Sequence, residues 1–190
     1  MSTPLYPTFE KRVADAVTRV ITQQVDPWQF MQQRMSVKRF DGRLISYEGV
    51  EFEGRPRHVF WSGYIEPFLQ ELIVAELAAA SAAAKERDVD ARKLIPEVQA
   101  LLLLGCRQVL RKMAEVDHRL RGQGYPEKTD ERSTEPELLS LREFLNRHAE
   151  AELQMWNPRT TCERWYERNK FWVWAAGLVV GIAGLAVKFL

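Results

Sequence analysis

An uncharged run near the C-terminal end constrains this chain more than any other feature. It extends from Phe171 to Val187 and is followed by Lys188. At about 1.5 Å per residue, a helix of that length spans roughly 26 Å, close to the hydrocarbon thickness of a bilayer, about 30 Å. We therefore expect one transmembrane helix, continuous with a juxtamembrane helix, within residues 161–190.

The residues around this run are those that flank membrane helices. Tryptophan rings favour the headgroup layer, and a lysine can extend its ammonium group outward to water. The predicted interface anchors are Trp165, Trp172, Trp174 and Lys188. The cations that precede the run are Arg159, Arg164, Arg168 and Lys170. Because basic flanks stay in the cytoplasm, we expect a single-pass, tail-anchored membrane protein with a cytoplasmic N-terminus. The opening residues show no signal peptide.

Three glycines share one face of the predicted membrane helix. Gly177, Gly181 and Gly184 recur at steps of four and three. Such a groove lets two backbones approach closely, so it predicts a homo-oligomer or another membrane-helix pair formed through the tail. The general abundance of glycine in membrane helices explains the same residues equally well.

The remaining sequence has the composition of a folded domain. The 190 residues are 46% hydrophobic and 28% charged, with a formal net charge of +1, which implies no nucleic-acid partner. Cys106 and Cys162 lie far apart in the sequence, without metal-ligand spacing. Reduced cysteines suit a cytoplasmic domain, and we expect Cys106 to be a small buried hydrophobe.

Periodicity predicts a mainly α fold with a minor β component. We expect a soluble helical domain over residues 1–121, a flexible linker over 122–133 and an amphipathic helix over 134–156 that begins with a capping box at Thr134. Within the first domain, Glu66 to Arg87 and a second helix ending near Arg121 form a helical hairpin. The second helix carries a coiled-coil-like seam: Ile95, Val98, Leu102, Cys106, Val109, Met113, Val116 and Leu120.

Two further elements are expected earlier in the chain. Apolar residues from Phe9 to about Val25 recur at helical spacing, and Asp26-Pro27 starts a short helix that reaches Met35. Residues 37–61 then alternate β-formers with Asp-Gly and Glu-Gly pairs, which predicts a small antiparallel β meander. Its last strand is expected at His58-Val-Phe-Trp61.

Basic residues on one meander turn suggest an anion site. Arg55, Arg57 and His58 could hold phosphate or carboxylate oxygens, or lipid headgroups if the turn faces the membrane. The interleaved glutamates favour a simpler interpretation, a hairpin stabilised by cross-strand ion pairs. A basic stripe after Arg107 has the same two interpretations: attraction to anions, or charges that complement a helix C-terminus.

No catalytic motif is present in the sequence, and it predicts no enzyme, cofactor or metal site. His148 and Glu152 lie four residues apart, but no completed ligand set surrounds them. The leading hypothesis is an adaptor that binds a protein partner at the inner membrane. The alternative is an oligomerising membrane effector, of a toxin or defence type, whose cytoplasmic domain senses a signal.

Overall fold

The computed structural model describes residues 2–30, 35–38, 42–47, 57–124, 133–156, 165–166 and 168–174. The chain divides into two compact units, Met1–Trp156 and Asn157–Leu190. The described residues are mainly helical, with one pair of short strands, which confirms the predicted fold class at that level.

The first helix, α1, extends over Tyr6–Val20 and has Pro7 in its first turn. Its core-facing residues recur at steps of three and four, as predicted: Phe9, Val13, Val17 and Val20 are buried. Wider π-helical turns at Ile21–Val25 lead directly into the short helix α2, Asp26–Phe30. The prediction that this helix reaches Met35 is wrong, because Met35 starts a strand.

Strands β1, Met35–Lys38, and β2, Leu44–Tyr47, form an antiparallel pair in which Met35 lies opposite Tyr47. Gly42 between them has a φ of +83°, the positive value that the Asp-Gly signal predicted. The meander is smaller than expected. Residues 50–52 lie outside the described residues, and the predicted strand over residues 58–61 is wrong.

A π-helical segment, Arg57–Ile65, stands where that third strand was expected. It continues into α3, Glu66–Arg87. The residues predicted as a strand are good β-formers, but the buried side chains of this segment are Phe60, Trp61, Tyr64 and Ile65. These four residues follow one another at steps of one, three and one, which places them on one face of a helix. That face continues into the buried face of α3. Tertiary packing therefore overrides the local β propensity.

The predicted helical hairpin is present. Helix α4 extends over Ala91–Gly122, and the turn between the two helices contains Asp88 in the left-handed conformation. Asp90 caps α4, because its side chain accepts a hydrogen bond from the backbone N–H of Arg92 at 3.0 Å. The aspartate-rich turn thus ends one helix and starts the next.

Helix α4 is the centre of the first unit, since it packs against α1, α3 and α5. Every residue of its predicted seam is buried. Gly105 lies on the α1 side, where an added Cβ would be 2.9 Å from Val17 Cγ2 and 3.3 Å from Val13 Cγ1. The close approach of these two helices therefore depends on glycine at this position.

Helix α5, Glu135–Met155, packs against both α3 and α4 and buries Leu141, Leu145 and Ala149. The predicted capping box is wrong in detail: Thr134 makes no side-chain cap, and Ser133 Oγ accepts from the N–H of Glu135 at 3.2 Å. In the second unit the backbone is helical at residues 165–166 and 168–174, which belong to the predicted juxtamembrane segment.

Candidate membrane-facing and partner-binding surfaces

The second unit presents a group of exposed aromatic side chains. Trp165, Trp172 and Trp174 are 59%, 71% and 67% exposed, and Tyr166 and Phe171 are exposed beside them. Within this group, Asn169 Nδ2 donates to the carbonyl of Trp165 at 2.8 Å. Large aromatic side chains are usually buried in water-soluble domains, so these five exposed rings are an unusual concentration of apolar surface.

Charges accompany these aromatic residues. Arg168 and Lys170 are exposed in the same helical stretch, before the uncharged run begins. The described part of the run ends at Trp174, so Gly177, Gly181, Gly184 and Lys188 lie outside the described residues. The transmembrane helix and its glycine face therefore stay predictions.

Among the described residues, one helix is long and apolar enough to cross a membrane: Val59–Arg87, with 29 residues. One third of the most apolar 18-residue stretch of this helix is buried in the protein. By length and composition this helix weakly favours membrane association, but core helices of soluble proteins share these properties. In this region the sequence predicts a strand at His58 to Trp61 and a hairpin helix from Glu66, and it predicts no membrane span there.

The predicted anion site is only partly described. Arg55 lies outside the described residues, and the backbones of Arg57 and His58 begin the π-helical segment instead of a hairpin turn. The side chains of these two residues are also outside the described residues. The anion-binding role of all three residues therefore stays a prediction.

An aromatic cluster centred on Phe60 was not predicted. The Phe60 ring stacks on Trp28 with centroids 4.3 Å apart and meets the edge of Tyr47 at 5.1 Å. Tyr64 packs on the same ring at 5.7 Å, and burial, aided by the nearby Tyr47, raises the pKa of its phenol. The cluster joins α2, β2 and the π-helical segment, so it has a structural role.

Cys106 is the buried hydrophobe that the seam predicted. Removal from water raises the pKa of its thiol to about 12, so the thiolate is scarce at neutral pH. His148 packs its ring on Phe144 with centroids 4.3 Å apart. Across the described ranges, no three His, Cys, Asp or Glu residues come together as metal ligands.

Several cations of the basic stripe on α4 have partners within the chain. Lys112 Nζ lies 3.1 Å from a carboxylate oxygen of Asp26, and Arg111 Nε lies 3.6 Å from Glu115. The guanidinium of Arg119 stands 5.2 Å from the centre of the exposed Phe30 ring. These contacts favour the structural interpretation for Lys112 and Arg119, whereas Arg107 and Arg111 remain exposed on the outer face of α4.

A groove of about 470 Å³ lies between α3 and α5. The residues that line it are Pro67, Gln70, Glu71, Val74, Ala75 and Phe144. Val74 is 41% exposed, whereas Leu69, Ile73 and Leu77 of the same helix are buried. The groove belongs to an outward face of α3 that the sequence reasoning did not single out.

No protein-family model, curated protein or solved structure matches this chain.

Proposed function

We propose that this protein is a single-pass membrane adaptor whose helical unit, α1 to α5, holds a protein partner at the membrane. The observation that carries the proposal is the set of exposed tryptophans, Trp165, Trp172 and Trp174, at the entrance of the uncharged run from Phe171 to Val187. Amphipathic rings in that position are typical of a helix that enters a bilayer from its headgroup layer.

The charge distribution supports a cytoplasmic location for the helical unit. Arg159, Arg164, Arg168 and Lys170 precede the run, whereas Lys188 follows it. Positively charged flanks remain on the cytoplasmic side, so the helical unit and the basic flank share that side. The anchor positions the helical unit close to the inner face of the membrane.

The outer face of α4 is the surface that we assign to the partner. Leu104, Arg107, Gln108 and Arg111 are exposed there at helical spacing, and Leu104 is the apolar residue among them. An exposed leucine beside two arginines suits an amphipathic helix that carries acidic residues. The packing of α4 against α1, α3 and α5 keeps this face rigid, which lowers the entropic cost of binding.

A charge in the middle of the run tests the anchor. Val180→Arg should move the intact chain from the carbonate-resistant membrane fraction to the soluble fraction, because a central arginine costs about 2.5–3.5 kcal/mol on insertion. Val180→Leu is the matched control and should stay in the membrane. A soluble wild-type chain would refute the anchor.

The partner surface has a separate test. Crosslinking of cells that express the intact chain should identify copurifying proteins, and Leu104→Asp with Arg107→Glu should remove the specific partner while the chain remains in the membrane fraction. Unchanged capture by this variant would exclude the outer face of α4 as the binding surface.

The apolar helix Val59–Arg87 favours one other candidate function, a membrane effector. If Val59–Arg87 joins the tail in the bilayer, two segments of each chain could assemble and disturb the membrane. The intact chain should then release dye from vesicles and arrest growth, and Val180→Arg should abolish both effects. An adaptor causes neither, so an inert wild-type chain removes the effector hypothesis.

A further inference from the structure

The outward face of α3 has apolar surface that the described fold leaves uncovered. Its core face buries Leu69, Ile73 and Leu77, whereas Val74, Ala75, Ala78 and Ala82 are all exposed on the opposite side. A helix in a monomeric protein normally carries polar residues there. An apolar outer face with charged residues at both ends is typical of a surface that packs against another helix.

The charges on this face have a symmetric arrangement. Glu71 lies seven residues before Ala78, and Lys85 lies seven residues after it, both exposed. Seven residues are two helical turns, so all three residues lie along one line of the helix. Val74 and Ala82 are likewise placed four residues before and four residues after Ala78.

We infer that α3 of one copy packs antiparallel against α3 of a second copy, around a two-fold axis that passes at Ala78. This register brings Glu71 of each chain opposite Lys85 of the other chain, and Val74 opposite Ala82. An isologous dimer of this kind uses the same surface twice. The small side chain at the centre lets the two helices approach to about 8 Å, the short end of the usual range.

Charge selects the antiparallel arrangement over the parallel one. A parallel pair in register would place Glu71 against Glu71 and Lys85 against Lys85, and like charges at that distance repel. The antiparallel pair forms two opposite-charge contacts by symmetry. Glu71 and Val74 also line the groove between α3 and α5, so this register places the incoming Lys85 beside that groove.

The dimer is weak in free solution. From Glu71 to Lys85 the contact face is about 21 Å long and about 10 Å wide, so it covers roughly 200 Å² per chain, well below the roughly 800 Å² per partner of a standard interface. Confinement of both chains to one membrane raises their effective concentration, so the dimer is populated mainly there. This last step rests on the proposed membrane anchor, whereas the pairing register does not.

Site-specific crosslinking with a short bismaleimide tests the register in the intact chain, with Cys162→Ser as background. Ala78→Cys should crosslink to itself, because residue 78 meets its own copy at the axis. A mixture of Glu71→Cys chains and Lys85→Cys chains should crosslink strongly, whereas each alone should not. Lys11→Cys, exposed on α1, is the control for random collisions. Crosslinking of Glu71→Cys to itself would overturn the antiparallel register.

Charge exchange tests the same contact without cysteine. Lys85→Glu should weaken sedimentation-measured dimerisation by about tenfold, and the double variant Glu71→Lys, Lys85→Glu should restore it. Both variants leave the core face of α3 untouched, so both should remain folded and helical by circular dichroism. A monomer at all concentrations, or equal dimerisation of all three proteins, would refute the pairing.

The membrane contribution is distinguished by Val180→Arg. If the anchor exists, this substitution should lower Ala78→Cys crosslinking in vesicles but leave the dimer at high concentration in solution unchanged. A loss of the solution dimer with Val180→Arg would assign the association to the tail and overturn the α3 pairing. An unchanged vesicle yield would refute the anchor alone.

Discussion

The guanidinium of Arg12 on α1 lies 2.9 Å from a carboxylate oxygen of Glu76, a buried residue in the middle of the apolar helix α3. The same guanidinium stands 5.3 Å from the centre of the Phe9 ring. The other oxygen of Glu76, Oε2, is buried without a hydrogen-bond partner. The guanidinium of Arg12 therefore offsets the free-energy cost of removing this carboxylate from water.

Replacement of Arg12 alone should destabilise the fold more than replacement of both Arg12 and Glu76. Arg12→Met leaves a buried acceptor unpaired, and we expect it to lower the free energy of unfolding by about 1–3 kcal/mol. Arg12→Met with Glu76→Leu should recover most of that loss, because a well-packed apolar pair avoids the desolvation cost. Urea denaturation of the four proteins of the cycle measures both effects; a double variant as unstable as Arg12→Met would contradict this explanation.

Gly105 should tolerate no side chain while Val17 faces it. Gly105→Ala places a methyl group 2.9 Å from Val17 Cγ2, and we expect a net loss of about 1–2 kcal/mol despite the better helix propensity of alanine. Gly122→Ala is the matched control, since nothing lies within 4 Å of its added Cβ, and it should be neutral or slightly stabilising.

Val17→Ala separates the steric cause from other effects of the substitution. In that background Gly105→Ala has room, so the loss of melting temperature should largely disappear. An equal loss in both backgrounds would show that the contact with Val17 is not responsible.

Much of the helical core could be predicted because its signals are long and consistent. The seam from Ile95 to Leu120 repeats over many turns, and the Asp88 to Asp90 turn has its own chemistry. The segment from His58 to Trp61 is predicted as a strand because it is short and rich in β-formers, but the buried residues from Phe60 to Ile65 form one face of a helix. Its helical spacing becomes clear only when it is joined to α3, and its aromatic partners come from distant parts of the sequence.

Contacts between residues that are distant in the sequence were harder to predict than the helices themselves. Glycine at position 105 has no local signal of a close helix contact, because that contact depends on how α1 and α4 cross. The Arg12 and Glu76 pair joins residues that are 64 positions apart. Likewise, the outer face of α3 is defined only by the side on which α4 and α5 pack. In contrast, the aromatic residues before the uncharged run are a local signal.

The turn at Asp88 should respond to backbone conformation more than to side-chain chemistry. Its φ of 56° and ψ of 39° are left-handed, a conformation that costs roughly 1–2 kcal/mol for a residue with a Cβ. Asp88→Gly should therefore be more stable than Asp88→Ala by about 1 kcal/mol, since both variants lose the aspartate side chain equally. Thermal unfolding of the two variants measures the difference, and equal stability would exclude a left-handed turn in solution.

Alkaline pH should weaken the fold through Cys106. The folded thiol has a pKa of about 12, above the value of roughly 8.5 for an exposed thiol. The unfolded chain therefore releases this proton first, and stability falls as the pH rises from about 8.5 towards 12, by up to about 1.4 kcal/mol per pH unit. Below pH 8 the contribution is constant.

Cys106→Ala isolates this contribution in a Cys162→Ser background. The variant loses stability at every pH because it leaves a small cavity, but its stability should decrease less steeply above pH 9 than that of the protein with Cys106. Other groups that titrate in this range, including Tyr64, are common to both proteins and cancel in the difference. Parallel curves from pH 7 to 11, measured by urea denaturation in detergent micelles, would show that the thiol at position 106 ionises in the folded protein as readily as in the unfolded chain.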